Sequence, residues 1–340
     1  MSKISSNINP HFKRNPKKSY SLQECINGIS DFKILAHLIS KSESNLLEDK
    51  NFVSEVISQT VSKKISRRIA ISGSPGVGKS TFINSLGKAL LSQEKTIAIL
   101  PVDPSSHVSR GSILGDKTRM EDLIKSDQVF IKPMASSLSL GGVAPATQMA
   151  SILCERAGFD YVFIETVGVG QSEYEVKHLV DLFILLLQPG GGDDLQGIKR
   201  GIMEMADLMV ITKADGLLLN NARASFDSYS HASQLMLQND LGWKAKVKMY
   251  SSLTNEGQET ILKCINQYFK FLSEADKLDV LRKRQRAYFF DKSFKSLAVE
   301  HFRQNAELQL KLEALKTKLL DNSILLFEAK NEMKQLVSDA

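Results

Sequence analysis

The chain has 340 residues, 42% hydrophobic and 24% charged, which is the balance of a packed globular protein and not of a disordered or fibrous one. Its 44 basic residues are nearly matched by 38 acidic ones, so a net charge of +6 does not mark a nucleic-acid binder. The cysteines Cys25, Cys154 and Cys264 are odd in number, far apart and without metal-ligand spacing, and are expected to be reduced.

Residues 1–20 carry Lys and Arg but no acids and are broken by Pro10 and Pro16; a basic disordered lead-in is expected, with a transit peptide as the other reading. Residues 21–65 repeat apolar side chains at three-to-four spacing in "SLQECINGI", "DFKILAHLISKSES" and "NFVSEVISQTVSK", which predicts an extension of two or three short helices. Seven β-rich runs then alternate with helical stretches: "RIAIS", "TIAILPV", "QVFIKPM", "YVFIETV", "LFILLLQ", "LMVITKA" and "KVKMYS". Near-continuous hydrophobicity marks strands covered on both faces, and the alternation predicts an α/β fold with a doubly wound, mostly parallel sheet over residues 66–272. The longest apolar run, from Leu179, is interrupted by Asp181 and stops at Pro189, short of the roughly 20 residues that cross a bilayer, so no membrane segment is expected. Residues 273–340 hold neither Gly nor Pro and are expected to form a long-helical arm. There Leu308, Leu312, Leu315 and Leu319 make an apolar seam that either packs back on the parent domain or pairs with another subunit.

Gly73, Ser74, Pro75, Gly76, Val77, Gly78, Lys79, Ser80 and Thr81 spell "GSPGVGKST" between a β run and a helical pattern. In that context the glycines let the backbone fold round phosphate oxygens, with N–H groups and a helix N-terminus supplying positive potential. Lys79 is placed for the β- and γ-phosphates and Ser80 for Mg²⁺. A nucleoside triphosphate is therefore expected. "TKAD", Thr212 to Asp215, follows the sixth β run and reads as a variant of the guanine motif N-K-x-D. Asp215 can accept from both the ring N–H and the exocyclic amine of guanine, and Lys213 would lie along the base plane. In "YSSLTNEG" after the seventh run, Ser251 and Ser252 offer backbone N–H groups to the guanine oxygen, with Leu253 beside them.

Metal and catalytic candidates are carboxylates at strand ends. Asp103 in "PVDPSS" and Glu165 in "FIETVG" lie where a parallel sheet gathers its carboxyl ends beside the first crossover loop, and Asp116 in "ILGDKTRM" is a third. For Asp103 the competing role is an Asx turn before Pro104. "TVGVGQ" is a switch candidate through Gly168 and Gly170, and Gln171 is the candidate for positioning water; Lys117, Arg110 and Arg119 are candidates for charge stabilisation.

The strings "GSPGVGKST", "VDPSS", "GSILGDKTRM", "LGGVA", "ETVGVGQSE", "GGGDDLQGIKRGI" and "TKADG", in this order, resemble the ArgK/MeaB family of P-loop GTPases from about Ser21 to the C-terminal helices. The resemblance implies a SIMIBI-type P-loop NTPase that binds GTP/GDP and Mg²⁺, forms a homodimer through the C-terminal arm, and acts as a chaperone gating adenosylcobalamin loading of a cobalamin-dependent acyl-CoA mutase, usually methylmalonyl-CoA mutase. It assigns Gly73 to Thr81 to phosphate, Ser80, Asp103, Asp116 and Glu165 to Mg²⁺, Lys213 and Asp215 to guanine, and Gly190 to Lys199 to a mutase-responsive switch; it also moves the leucine seam toward subunit contact. It implies a cytoplasmic protein, or a mitochondrial-matrix one if the leader is a transit peptide. Thr212 stands where the family pattern has Asn, and Ser251-Ser252 where it has Ser-Ala. The alternatives are a metallochaperone GTPase, against which the unclustered His and Cys residues count, and a small-molecule kinase or transport-linked ATPase, for which no acceptor motif is visible.

Overall fold

Successive residues of each apolar run point to opposite faces of one sheet, and each face is roofed by helices. The computed structural model describes residues 19–44, 46–62, 64–103, 120–135, 144–166, 172–190 and 200–338. Its strands are β1 (Arg67–Gly73), β2 (Ile97–Asp103), β3 (Val129–Ile131), β4 (Met134–Ala135), β5 (Tyr161–Glu165), β6 (Leu182–Leu187), β7 (Leu208–Ile211) and β8 (Lys246–Met249). The order across the sheet is β3-β2-β5-β1-β6-β7-β8, with β4 also on β2, and all these pairings are parallel. The doubly wound α/β expectation holds.

The run "QVFIKPM" becomes two strands, not one. β3 pairs with Ile97 to Ile99 and β4 with Val102 and Asp103, and between them Pro133 has no N–H to give a ladder. On one face Ala70, Leu100, Ile164, Leu185 and Met209 enter one core; on the other Ile69, Ile71, Ile99, Phe163, Ile184 and Val210 enter a second. This alternation is why the runs read as continuously apolar.

The N-terminal extension forms α1 (Leu22–Asn27), α2 (Phe32–Ser42) and α3 (Leu47–Gln59). Ser21 and Glu24 close a capping box on α1, and Asp31 caps α2 through the N–H groups of Lys33 and Ile34. Leu35, Leu38, Val53 and Val56 are buried in the same core as Ala70 and Ile164, so these helices complete one roof of the sheet. Helix α4 (Lys79–Leu91) joins the opposite core through Phe82, Ile83, Leu86 and Leu90. In chain order α5 (Glu121–Ile124), α6 (Ala144–Ala157), α7 (Ser172–Lys177), α8 (Arg200–Met205), α9 (Leu219–Leu235) and α10 (Gln258–Ser273) follow. All three cysteines are free and buried.

The arm is α11 (Lys277–Gln304), α12 (Ala306–Leu320) and α13 (Leu326–Ser338). The leucine seam lies on α12, and within this single chain Leu308 and Leu315 are already 3% and 7% exposed. Helix α12 packs on α11 and α13, so Leu308 and Leu315 pack back inside the arm, while Leu312 and Leu319 stay half-buried. The exposed apolar residues lie elsewhere, with Phe290, Phe294 and Leu297 on α11 at 72%, 66% and 69% exposure.

A buried ionic cluster roots α11 in the sheet. The Asp181 carboxylate accepts from the Arg68 backbone N–H at 3.0 Å, from the Arg68 guanidinium at 2.9 Å, and from Arg282 Nε and Nη2 at 3.0 and 2.9 Å. Arg282 also donates to Glu155 Oε1 and to the Ser66 carbonyl, both at 2.7 Å. Burial pushes the Asp181 carboxyl upward, but the two guanidinium groups outweigh it and hold it below the usual carboxylate range. Farther along, Lys292 Nζ lies 2.5 Å from Glu175 Oε1 on α7, and Tyr288 stacks on His178 with ring centroids 3.7 Å apart.

Candidate nucleotide-binding site

The phosphate loop begins where β1 ends. At Gly73 an added Cβ would sit 2.5 Å from the Leu186 carbonyl oxygen of the neighbouring strand, so no larger residue fits this exit from the sheet. Gly78 caps α4 with φ 99°, a left-handed conformation that a side chain resists. The motif spacing thus sets its own backbone: a tight turn, then a helix whose first residue is Lys79. Lys79 Nζ donates to the Gly73 and Ser74 carbonyls at 2.8 and 3.1 Å, which holds the ammonium over the loop. Val77 is buried beneath it, whereas Pro75, Gly76 and Thr81 are exposed.

Glu165 ends β5 in register with Ile71 of β1 and Pro101 of β2, which brings it beside the root of the loop. Ser80 Oγ donates to Glu165 Oε1 at 2.9 Å, and both side chains are buried. A hydroxyl and a carboxylate, both hard oxygen donors, therefore meet at the start of α4. Asp103 ends β2 two positions beyond Pro101 at the same edge of the sheet. Asp116, Gln171, Arg110, Lys117 and Arg119 lie outside the described residues, as do most of the two switch candidates (167–171 and 191–199).

On the other side of the loop, "TKAD" leaves β7 and is stitched to the phosphate loop. Thr212 Oγ1 donates to the Val77 carbonyl at 2.8 Å, with the Leu187 carbonyl at 3.2 Å, and Lys213 Nζ reaches the Gly76 carbonyl at 2.8 Å. The structure also differs from the sequence reading at Ser251. Its backbone N–H is spent on the Glu256 carbonyl at 3.0 Å, which leaves Ser252 as the N–H donor of the pair. The Ser251 hydroxyl instead donates to Asp215 Oδ2 at 2.5 Å, and accepts from the N–H groups of Leu253 and Thr254 at 3.2 and 3.1 Å. Ser251 thereby aims the carboxylate and orders the turn that carries Leu253. No spacing rule would have found this, because Asp215 and Ser251 are 36 positions apart. Farther along that turn, Gln258 Nε2 donates to the Ser85 carbonyl at 3.0 Å, tying the turn to α4.

A separate cavity of about 810 Å³, lined in part by His178, Met203, Met236, Leu237 and Leu281, opens at the opposite ends of the strands. The phosphate loop, Glu165, Thr212 and Asp215 all belong to the carboxyl ends, where open α/β sheets bind ligands.

Residues 35–307 match the family model described as methylmalonyl Co-A mutase-associated GTPase MeaB. The chain belongs to this family. The MeaB relatives include the mouse protein named methylmalonic aciduria type A homolog, mitochondrial, 41% identical over 262 residues that make up 77% of this chain and 63% of the mouse protein. They also include GTPase ArgK of Escherichia coli, 41% identical over 71% of this chain and 72% of that protein. Among solved structures, a crystal structure titled LAO/AO transport system kinase superposes with a TM-score of 0.76 at 26% identity, covering 94% of this chain and 100% of the other. The chain thus spans less than two thirds of the mouse relative's length but all of the superposed structure.

Proposed function

We propose that the protein is a GTPase that binds GTP with Mg²⁺, hydrolyses it to GDP and phosphate, and acts as a chaperone gating adenosylcobalamin loading of a cobalamin-dependent acyl-CoA mutase. Membership of the MeaB family supports both the GTPase activity and the mutase as partner. The observation that carries the nucleotide reading is the pairing of a phosphate loop with a carboxylate at Asp215 that is held in place by Ser251. A carboxylate there matches the two adjacent donors on guanine and repels the acceptor at N1 of adenine.

In this reading the loop's N–H groups and the Lys79 ammonium neutralise the triphosphate tail, and Lys213 covers the base. Ser80 and Glu165, with Asp103 and Asp116, would hold Mg²⁺, and their hard oxygen chemistry fits that ion. Bound there, the ion would offset negative charge on the transferred phosphoryl group. Gln171 is kept as the residue that positions water. The protein works in the compartment of its mutase, the cytoplasm or the mitochondrial matrix.

The base assignment is tested by Asp215→Asn. A carboxamide offers a donor where guanine also has one but where xanthine has a carbonyl. The variant is expected to lose at least about tenfold in GTP affinity, the scale of a hydrogen bond to a charged group, and to gain affinity for xanthosine triphosphate. Competition binding against a fluorescent GTP analogue measures both, and unchanged GTP affinity would remove the guanine assignment.

The homodimer is assigned to the α11 stripe and not to the leucine seam. Phe290, Phe294 and Leu297 recur at helical spacing and are exposed, as an interface between copies requires. Phe294→Glu is expected to turn a dimer into a monomer in sedimentation velocity, with the far-UV circular dichroism spectrum unchanged; a dimer that persists would exclude this stripe.

A further inference from the structure

We infer that Thr212 withholds a hydrogen-bond donor from the N7 edge of the bound purine, so that this protein reads guanine through its carbonyl, N1 and exocyclic-amine edge and not through N7. The inference rests on the guanine reading above and concerns how the base is discriminated.

A threonine hydroxyl has one proton. Thr212 Oγ1 gives it to a backbone carbonyl, with Val77 O at 2.8 Å and Leu187 O at 3.2 Å as acceptors, in a side chain only 3% exposed. What the oxygen has left is lone-pair density. N7 of a purine is itself an acceptor, so the two cannot pair. An Asn at this position would have two N–H donors and could serve both a loop carbonyl and the base.

Position matters as much as proton count. The ribose joins the purine at N9 and leads to the triphosphate, so the five-membered ring, with N7, lies on the phosphate-loop side of the base. Thr212 and Lys213 both touch that loop, Thr212 at Val77 O and Lys213 at Gly76 O, and Thr212 is the buried one, whereas Asp215, held by Ser251, is the one placed for the far edge. Backbone donors nearby are also committed: the Ala214 N–H is on Tyr250 O at 3.1 Å, and the Leu253 and Thr254 N–H groups are on the Ser251 hydroxyl. Lys213 keeps ammonium protons beyond the one on Gly76 O at 2.8 Å, but in the reading above its side chain covers the face of the base and not the N7 edge. The Ser252 N–H belongs to the turn that carries the far-edge readout.

The test compares GTP, 7-deaza-GTP, which has a carbon at position 7, and inosine triphosphate, which lacks the exocyclic amine. Each competes with a ribose-labelled fluorescent GTP on the full chain with Mg²⁺, for wild type and Thr212→Asn. Wild type is expected to bind 7-deaza-GTP within about twofold of GTP, and inosine triphosphate at least about tenfold more weakly, because a bond to the Asp215 carboxylate is lost. Thr212→Asn is expected to prefer GTP over 7-deaza-GTP by about three- to tenfold, the range of one neutral hydrogen bond. A several-fold loss on 7-deaza-GTP in wild type would overturn the inference and leave the guanine reading standing. So would a folded Thr212→Asn that gains no preference for N7. If wild type bound none of the three nucleotides, the guanine reading itself would fail. Should Thr212→Asn not fold by circular dichroism, the wild-type comparison still decides.

Discussion

Lys79→Ala is expected to weaken GTP binding by at least about a hundredfold, while the thermal melt of the variant stays within a few degrees of wild type. The side chain starts α4 and its ammonium is held over the loop by the Gly73 and Ser74 carbonyls, where it would meet two phosphate groups. Each hydrogen bond to a charged partner is worth about 1.5–3 kcal/mol, and two of them amount to roughly two to four powers of ten in affinity. The fold should tolerate the loss, because Lys79 is only partly buried and its ammonium bonds to loop carbonyls. Isothermal titration with Mg²⁺ gives the affinity directly. A variant within tenfold of wild type would show that the loop does not hold the triphosphate.

The largest stability effect is expected far from that loop. Arg282→Ala should cost about 3–5 kcal/mol in urea unfolding, because it strands the Asp181 carboxylate, which is 1% exposed, with one cation in place of two. It also removes the partner of Glu155 and a donor to the Ser66 carbonyl. Its pH dependence separates it from a packing defect. The folded-state carboxyl of Asp181 titrates below its unfolded value, so its contribution is complete at neutral pH and is lost as pH falls through that lowered folded value. Removing one cation raises the folded value, and the loss then begins at higher pH. The variant should unfold in mild acid where the wild type does not. Equal acid sensitivity in the two proteins would show that Arg282 does not govern the Asp181 charge.

The sheet could be read from the sequence because each strand is covered on both faces. A run such as "YVFIE" or "LFILLL" needs no alternation to be recognised, since Phe163 and Ile164 simply enter different cores. The phosphate loop was equally visible, because it binds with its own backbone and all its requirements lie within nine residues. The arm's turns were not. Between α10 and α11 the chain reverses through Ala275 and Asp276 at φ 48° and 53°, and before α13 through Asn322 at 61°, so no Gly or Pro announces either bend. The leucine seam had the right spacing, but spacing does not say which surface covers it. The base site was legible only in part. Asp215 could be proposed from a four-residue match, whereas the Thr212 contact with Val77 bridges 135 positions and the Ser251 contact with Asp215 bridges 36. Such contacts exist only once β1, β7 and β8 lie in order.

The grip of α11 on α7 has a mechanical meaning. Helix α7 is the first described element after the segment 167–171, and Lys292 and Tyr288 clasp it at Glu175 and, just past its end, at His178. With 28 residues, α11 is a rod roughly 42 Å long, of which about 33 Å runs from its root at Arg282 to Gln304. A tilt of about five degrees about that root carries the outer end by roughly 3 Å, about a hydrogen-bond length. Displacements at α7 too small to disturb the sheet would thus be magnified at the outer tip, where α12 and α13 hang.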